Sequence, residues 1–130
     1  MQRVTGIGGV FFKARDAEGL RAWYKRHLGL DIQEWGGLAF APPPTQPAGS
    51  ATPLASHTTW CMFPGDSDYF GARSASFMIN YRVADLDALL AVLRREGCAV
   101  DEKTEVSEYG KFGWVTDPEG NRVELWQPPG

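Results

Sequence analysis

The sequence predicts an α+β fold: two βαβββ modules side by side in one curved, eight-stranded mixed sheet with a cup-shaped pocket. Three observations carry this. A strand-like stretch followed by a capped, amphipathic helix pattern occurs twice, at Asp16 and again at Asp85, an offset of 69 residues. Three short strand-like segments follow each helix. Neither half has enough apolar surface for a core alone, so both helices must serve a shared sheet, whose other face is free to curl.

The elements follow in order. Val4 to Lys13 is rich in Val, Ile, Phe and Gly and reads as a strand. Asp16 offers an oxygen to the free amides of a helix start, and Leu20, Trp23, Tyr24 and Leu28 form one helical stripe expected to be core. Gly29 supplies the left-handed stop. Leu30–Trp35 and Gly37–Ala41 read as two short strands, and His57–Phe63 as a fourth. Between them, the proline-rich run from Pro42 to Pro53 excludes a central strand and reads as a long loop, a candidate cover for a pocket rim or a dimer edge.

Ser76–Val83 restarts the pattern, Asp85 caps a helix with Leu86, Leu89, Leu90 and Leu93 on one side, and Gly97 ends it. Val100–Val106, Lys111–Thr116 and Asn121–Gln127 complete the strands. Asp117-Pro118-Glu119-Gly120 has the composition of a type I turn with a bulge. The chain is thus expected to be one domain over 1–130, with a first module at 4–64, a linker at 65–74 and a second module at 75–128.

Composition narrows the function classes. At 43% hydrophobic and 22% charged, the chain reads as globular and soluble, with no run long enough to span a membrane and no signal-peptide pattern. A net charge of −3 and no basic stripe argue against nucleic acid. Cys61 and Cys98 lack CxxC spacing and read as a reduced pair in a cytoplasmic protein, with Cys61 alternating onto the helix side of its strand. The glycines of Thr5 to Gly9 do not make a phosphate loop, because no helix follows directly on them.

The double βαβββ pattern, the HLGL at His27 to Leu30 and above all DPEGNRVEL at Asp117 to Leu125 resemble the vicinal oxygen chelate superfamily. That superfamily includes glyoxalase I, extradiol dioxygenases and the bleomycin and fosfomycin resistance proteins. The resemblance covers nearly the whole chain and implies a pocket in the curve of the sheet and, by analogy, a homodimer. In metal-using members it also implies four ligand positions on the first and last strands of each module. Carried onto this chain through the repeat, with the strand ends TWCMFPG and VELWQPP aligned, they fall at Gly9, Trp60, Met78 and Glu124. Glycine has no ligating side chain, tryptophan only donates, and a lone thioether beside one carboxylate does not hold Zn²⁺, Mn²⁺ or Fe²⁺. His57 alternates away from Trp60, and His27 sits in a helix's last turn. No metal and no cofactor are therefore expected.

With Glu124 facing inward, alternation adds Trp126 and Arg122, and the paired strands add Phe11, Lys13, Trp60, Met62, Met78, Asn80 and Arg82. Either Trp114 and Phe112 or Lys111 and Val115 join them. The candidate site is then Glu124 as the catalytic group, with Phe11, Trp60, Met78, Asn80, Trp114 and Trp126 lining an aromatic pocket for a small molecule. Glu124 reads three ways: an acid or base in a dry pocket, a structural partner of Arg82 or Arg122, or a recognition carboxylate for a cationic ligand between tryptophans. The sequence supports a metal-independent binding protein first and a glyoxalase-like lyase or isomerase second.

Overall fold

A computed structural model describes residues 3–41, 56–71 and 75–130. The proline-rich loop expected at 42–53 and the end of the 65–74 linker lie outside the described residues. The chain runs β1 (Val4–Ala14), α1 (Ala17–Leu28), β2 (Gly37–Phe40), β3 (Thr58–Pro64), β4 (Phe77–Val83), α2 (Leu86–Arg95), β5 (Ala99–Val100), β6 (Glu105–Ser107), β7 (Gly110–Thr116) and β8 (Arg122–Gln127). Its strands form an open, mixed eight-stranded sheet in the order β2-β3-β1-β4-β8-β7-β5, with β6 paired to β7.

The strands divide unevenly between the repeats. The segment expected as a strand over 30–35 is irregular: Gln33 N–H donates to the Gly37 carbonyl, and Gly36 N–H to that of Gln33. These hydrogen bonds close a local turn, with Gly36 at a φ of 101° and its carbonyl accepting from Met62 N–H of β3. In the second repeat, the single strand expected over 100–106 is two short ones, both paired antiparallel with β7.

Two compact units divide the chain, Gly9–Phe77 and Met1–Gly8 with Met78–Gly130. In the latter, α2 begins where Asp85 accepts a hydrogen bond from Ala88 N–H, which satisfies one of the free amides of the first turn. Leu86, Leu89 and Leu90 are buried against Val83 and Leu125, and Tyr81, Val115 and Val123 pack around them. Each fully buried leucine contributes about 1.5–3 kcal/mol. Gly113 on β7 admits the helix: a Cβ there would stand 3.0 Å from a Leu90 methyl.

In the unit Gly9–Phe77, α1 starts and stops by the same chemistry. Asp16 accepts from Gly19 N–H, and Gly29 ends the helix at a φ of 68°. Its stripe is not core, however, for no residue of α1 is buried. Tyr24 touches the sheet through Trp60 and Phe12, with ring centroids 5.2 and 6.4 Å apart, while Trp23 is 48% exposed. Among the described residues, no helix is long and apolar enough to cross a membrane.

Candidate functional site

The strongest concentration of polar atoms in a buried setting forms on β4, β7 and β8. Parallel pairing sets Asn80 opposite Glu124 and Arg82 opposite Trp126. Antiparallel pairing sets Trp114 opposite Glu124 and Phe112 opposite Trp126. Since Val83, Leu125, Val115 and Val123 face α2, strand alternation turns Met78, Asn80, Trp114, Glu124 and Trp126 to the other side. The register thus decides for Trp114 and Phe112 over Lys111 and Val115.

This face is dry. Met78, Trp114 and Glu124 are each 1% exposed and Asn80 is 3% exposed, with Trp126 also buried. A carboxyl and an amide held in an apolar setting need compensating partners, at a cost of roughly 1–3 kcal/mol for each polar group left unsatisfied. The Asn80 side-chain oxygen meets no hydrogen-bond donor among the described residues. It lies across Gly8 of β1 together with the Trp126 ring, and the Arg82 guanidinium lies across Gly6 in the same way. Both glycines therefore serve as gaps that neighbouring side chains fill. In the sequence these two glycines look like no more than part of a failed phosphate loop. Their signal is the alternation of Gly6 and Gly8 at strand period.

Neighbouring contacts fix the walls. Trp126 Nε1–H donates to the Tyr109 carbonyl at 2.7 Å, which ties β8 to the turn between β6 and β7. The Arg122 guanidinium donates to Asp101 at 2.7 Å and stands over the Trp114 ring at 4.8 Å. At the entry to β8, the Asp117 carboxylate accepts from the Asn121 side-chain amide and from the N–H groups of Asn121 and Glu119. The Asn121 amide foremost, then the backbone donors, hold the Asp117 carboxyl below the usual carboxylate range. With Gly120 at a φ of 88°, the turn sets the register that places Glu124.

Two expected site residues occupy other surroundings. In the unit Gly9–Phe77, β1 and β3 pair with Val10 opposite Trp60 and Phe11 opposite Cys61. Trp60 stacks edge-on against Phe12 at 5.0 Å, on the side of Tyr24. Phe11 points the other way, to Phe63 at 5.6 Å. Phe11 and Trp60 are thus not on one face. It is Cys61, expected toward the helix, that shares the face of Phe11. The physical reason is register: matching β3 to β8 by their terminal prolines is off by one residue, and a slip of one inverts every side chain.

The register changes one of the four positions considered for a metal: the counterpart of Glu124 on β3 is Cys61 rather than Trp60. Gly9 and Trp60 supply no ligating atom, Met78 and Glu124 supply one thioether and one carboxylate, and Cys61 would add a thiol. Among the described residues, no group of three or more His, Cys, Asp or Glu side chains converges. Elsewhere, a shallow groove of about 660 Å³ at the β1–α1 junction is lined by Lys13, Arg15, Leu20, Trp23 and Tyr24 among others, and of the residues expected on the pocket face it includes Lys13 alone.

Among protein families, the model of the Glyoxalase/Bleomycin resistance protein/Dioxygenase superfamily matches residues 6–125. No curated protein matches the sequence. Among solved structures, methylmalonyl-CoA epimerase from Mycobacterium tuberculosis is similar at 21% identity and a TM-score of 0.66, over 100% of this chain and 92% of that one. A single-residue variant of Streptomyces coelicolor methylmalonyl-CoA epimerase, in complex with 2-nitronate-propionyl-CoA, is similar at 15% identity and a TM-score of 0.68, over 98% and 99% of the chains. A superfamily member from Vibrio splendidus 12B01 gives 12% identity and a TM-score of 0.54, over 91% and 95%. Likeness at these identities speaks to the fold.

Proposed function

We propose, from the premise that the chain belongs to the Glyoxalase/Bleomycin resistance protein/Dioxygenase superfamily, that it binds a small molecule at the β4-β8-β7 face without a resident metal. The observation that carries this is the burial of Asn80 and Glu124 side by side among Met78, Trp114 and Trp126. Apolar walls with a few convergent polar groups are what a small-molecule site presents. A purely structural sheet face would be more stable with hydrophobic residues at both polar positions.

In this reading Glu124 recognises the ligand, Asn80 orients it, and the two tryptophans and Met78 supply contact area. The protein would act in the cytoplasm as a homodimer, as its superfamily suggests. A second reading is favoured by the epimerases among the similar structures. In it Glu124 moves a proton next to a substrate carbonyl while Asn80 orients that carbonyl, giving an isomerase or lyase.

Glu124→Gln separates the two, because it keeps shape and hydrogen bonding but removes the acid–base group. A binder loses affinity for a cationic ligand and has no turnover to lose. An enzyme keeps most of its affinity and loses turnover by roughly 10²-fold or more. A variant that alters neither ligand affinity nor turnover refutes both readings.

A further inference from the structure

We propose that the groove at the β1–α1 junction is a second binding site, whose ligand is a flat aromatic ring carrying an anionic group, gripped by Arg15 and laid against Trp23. It shares no residue with the β4-β8-β7 face, and its lining belongs wholly to the unit Gly9–Phe77. Its volume of about 660 Å³ falls within the range of small-molecule sites, roughly 300–1,000 Å³.

The first observation is aromatic surface left in water. Trp23 is 48% exposed, and the groove runs along it together with Tyr24 and Leu20. Tyr24 and His27 meet the Trp23 ring at centroid distances of 5.1 and 5.3 Å and interplanar angles of 80° and 45°. They hold the indole in place and leave about half of it open. A ring fixed in this way offers contact area at little cost in side-chain entropy.

The second observation is charge. Two cations line the groove, Lys13 and Arg15, against a single acid, Asp16. That acid is engaged within its own helix: its carboxylate accepts from Gly19 N–H at 3.0 Å and lies where a Gly19 side chain would stand. Asp16 thus occupies the helix start, and the seat for an anion is the cations beside it and not the first-turn amides. Lys13 holds its ammonium 5.3 Å from the Phe70 ring centre and contributes charge at the groove wall. Arg15 is exposed and has no acidic partner among the described residues. Its planar guanidinium presents paired N–H groups that match a carboxylate. An ammonium ligand would meet two like charges here, and a neutral ring would keep the indole contact alone.

The probes are 2-naphthoate, the neutral 2-naphthamide and the cationic 2-naphthylmethylammonium, titrated into the full chain. Binding is followed by the indole N–H resonances, with Trp23 assigned by the signal lost in Trp23→Phe. The naphthoate is expected to move the Trp23 signal and to bind roughly fivefold tighter than the amide, with the ammonium weakest. Arg15→Gln, at an exposed position, should bring the naphthoate-to-amide ratio close to one, and Trp23→Ala should weaken both by roughly fivefold. A preference for the amide or the ammonium, a naphthoate preference that survives Arg15→Gln, or failure of all three probes to bind overturns the proposal. Movement of the Trp126 signal in place of Trp23 also overturns it and favours the β4-β8-β7 face, whose own reading is decided separately by Glu124→Gln.

Discussion

The two helices begin alike and end up packed differently. Asp16 and Asp85 each accept a hydrogen bond from the amide three residues on, and both helices carry their large apolar residues at helical spacing. Yet α2 buries Leu86, Leu89 and Leu90, whereas α1 buries none. Leucines fit between the β-branched residues of β7 and β8, helped by the missing side chain at Gly113. In α1 the stripe of Leu20, Trp23, Tyr24 and Leu28 is dominated by two rings that contact their neighbours at their edges and remain partly open. Capping chemistry makes a helix; the shape of its stripe determines how much it holds together.

The largest expected effect tests that contrast. Leu90→Ala should destabilise by about 2–5 kcal/mol in urea unfolding, and Leu20→Ala on α1 by less than about 1.5 kcal/mol. Equal losses would mean that the half-exposed stripe carries as much of the stability as the buried one. Next comes Gly8→Ala, whose methyl would enter the space filled by Asn80 and Trp126. It should cost about 1–3 kcal/mol and move the tryptophan fluorescence, and an unchanged spectrum would argue against that packing. Asp16→Ala and Asp85→Ala should each cost about 1 kcal/mol, a matched pair despite their unequal helices, measured by thermal melts.

The smallest effect is a pH dependence at the turn before β8. The Asp117 carboxyl is held below its usual range by Asn121 and the turn amides, so its contribution is present above its unfolded-state pKa. It fades as pH falls through the lower folded value, because protonation then discards those hydrogen bonds. Asp117→Asn should flatten the acid limb of the stability curve, and an unaltered limb would place the acid sensitivity elsewhere.

What could be read from the residues was what short-range chemistry decides. Asp16, Gly29, Asp85 and the Asp117–Asn121 turn each specify their geometry within five residues, and all were legible. So was the face of Glu124, since turn and strand adjoin. Long-range register was harder. The face of Trp60 depends on which residue of β1 it opposes, and a shared proline at two strand ends suggested a match one residue out. Leu30–Trp35 has strand composition but closes a local turn, and the unburied stripe of α1 could not be told from a core stripe by periodicity alone. Gly6 and Gly8 gain meaning only from Arg82 and Asn80, far along the chain.

The central claim is a small-molecule site on β4, β8 and β7 that works without a metal. Native mass spectrometry of the protein, purified gently from its own host, tests it most directly. The account predicts a chain carrying a small organic mass and no metal, with the organic mass lost from Glu124→Gln. About one metal ion per chain with no organic mass would contradict it.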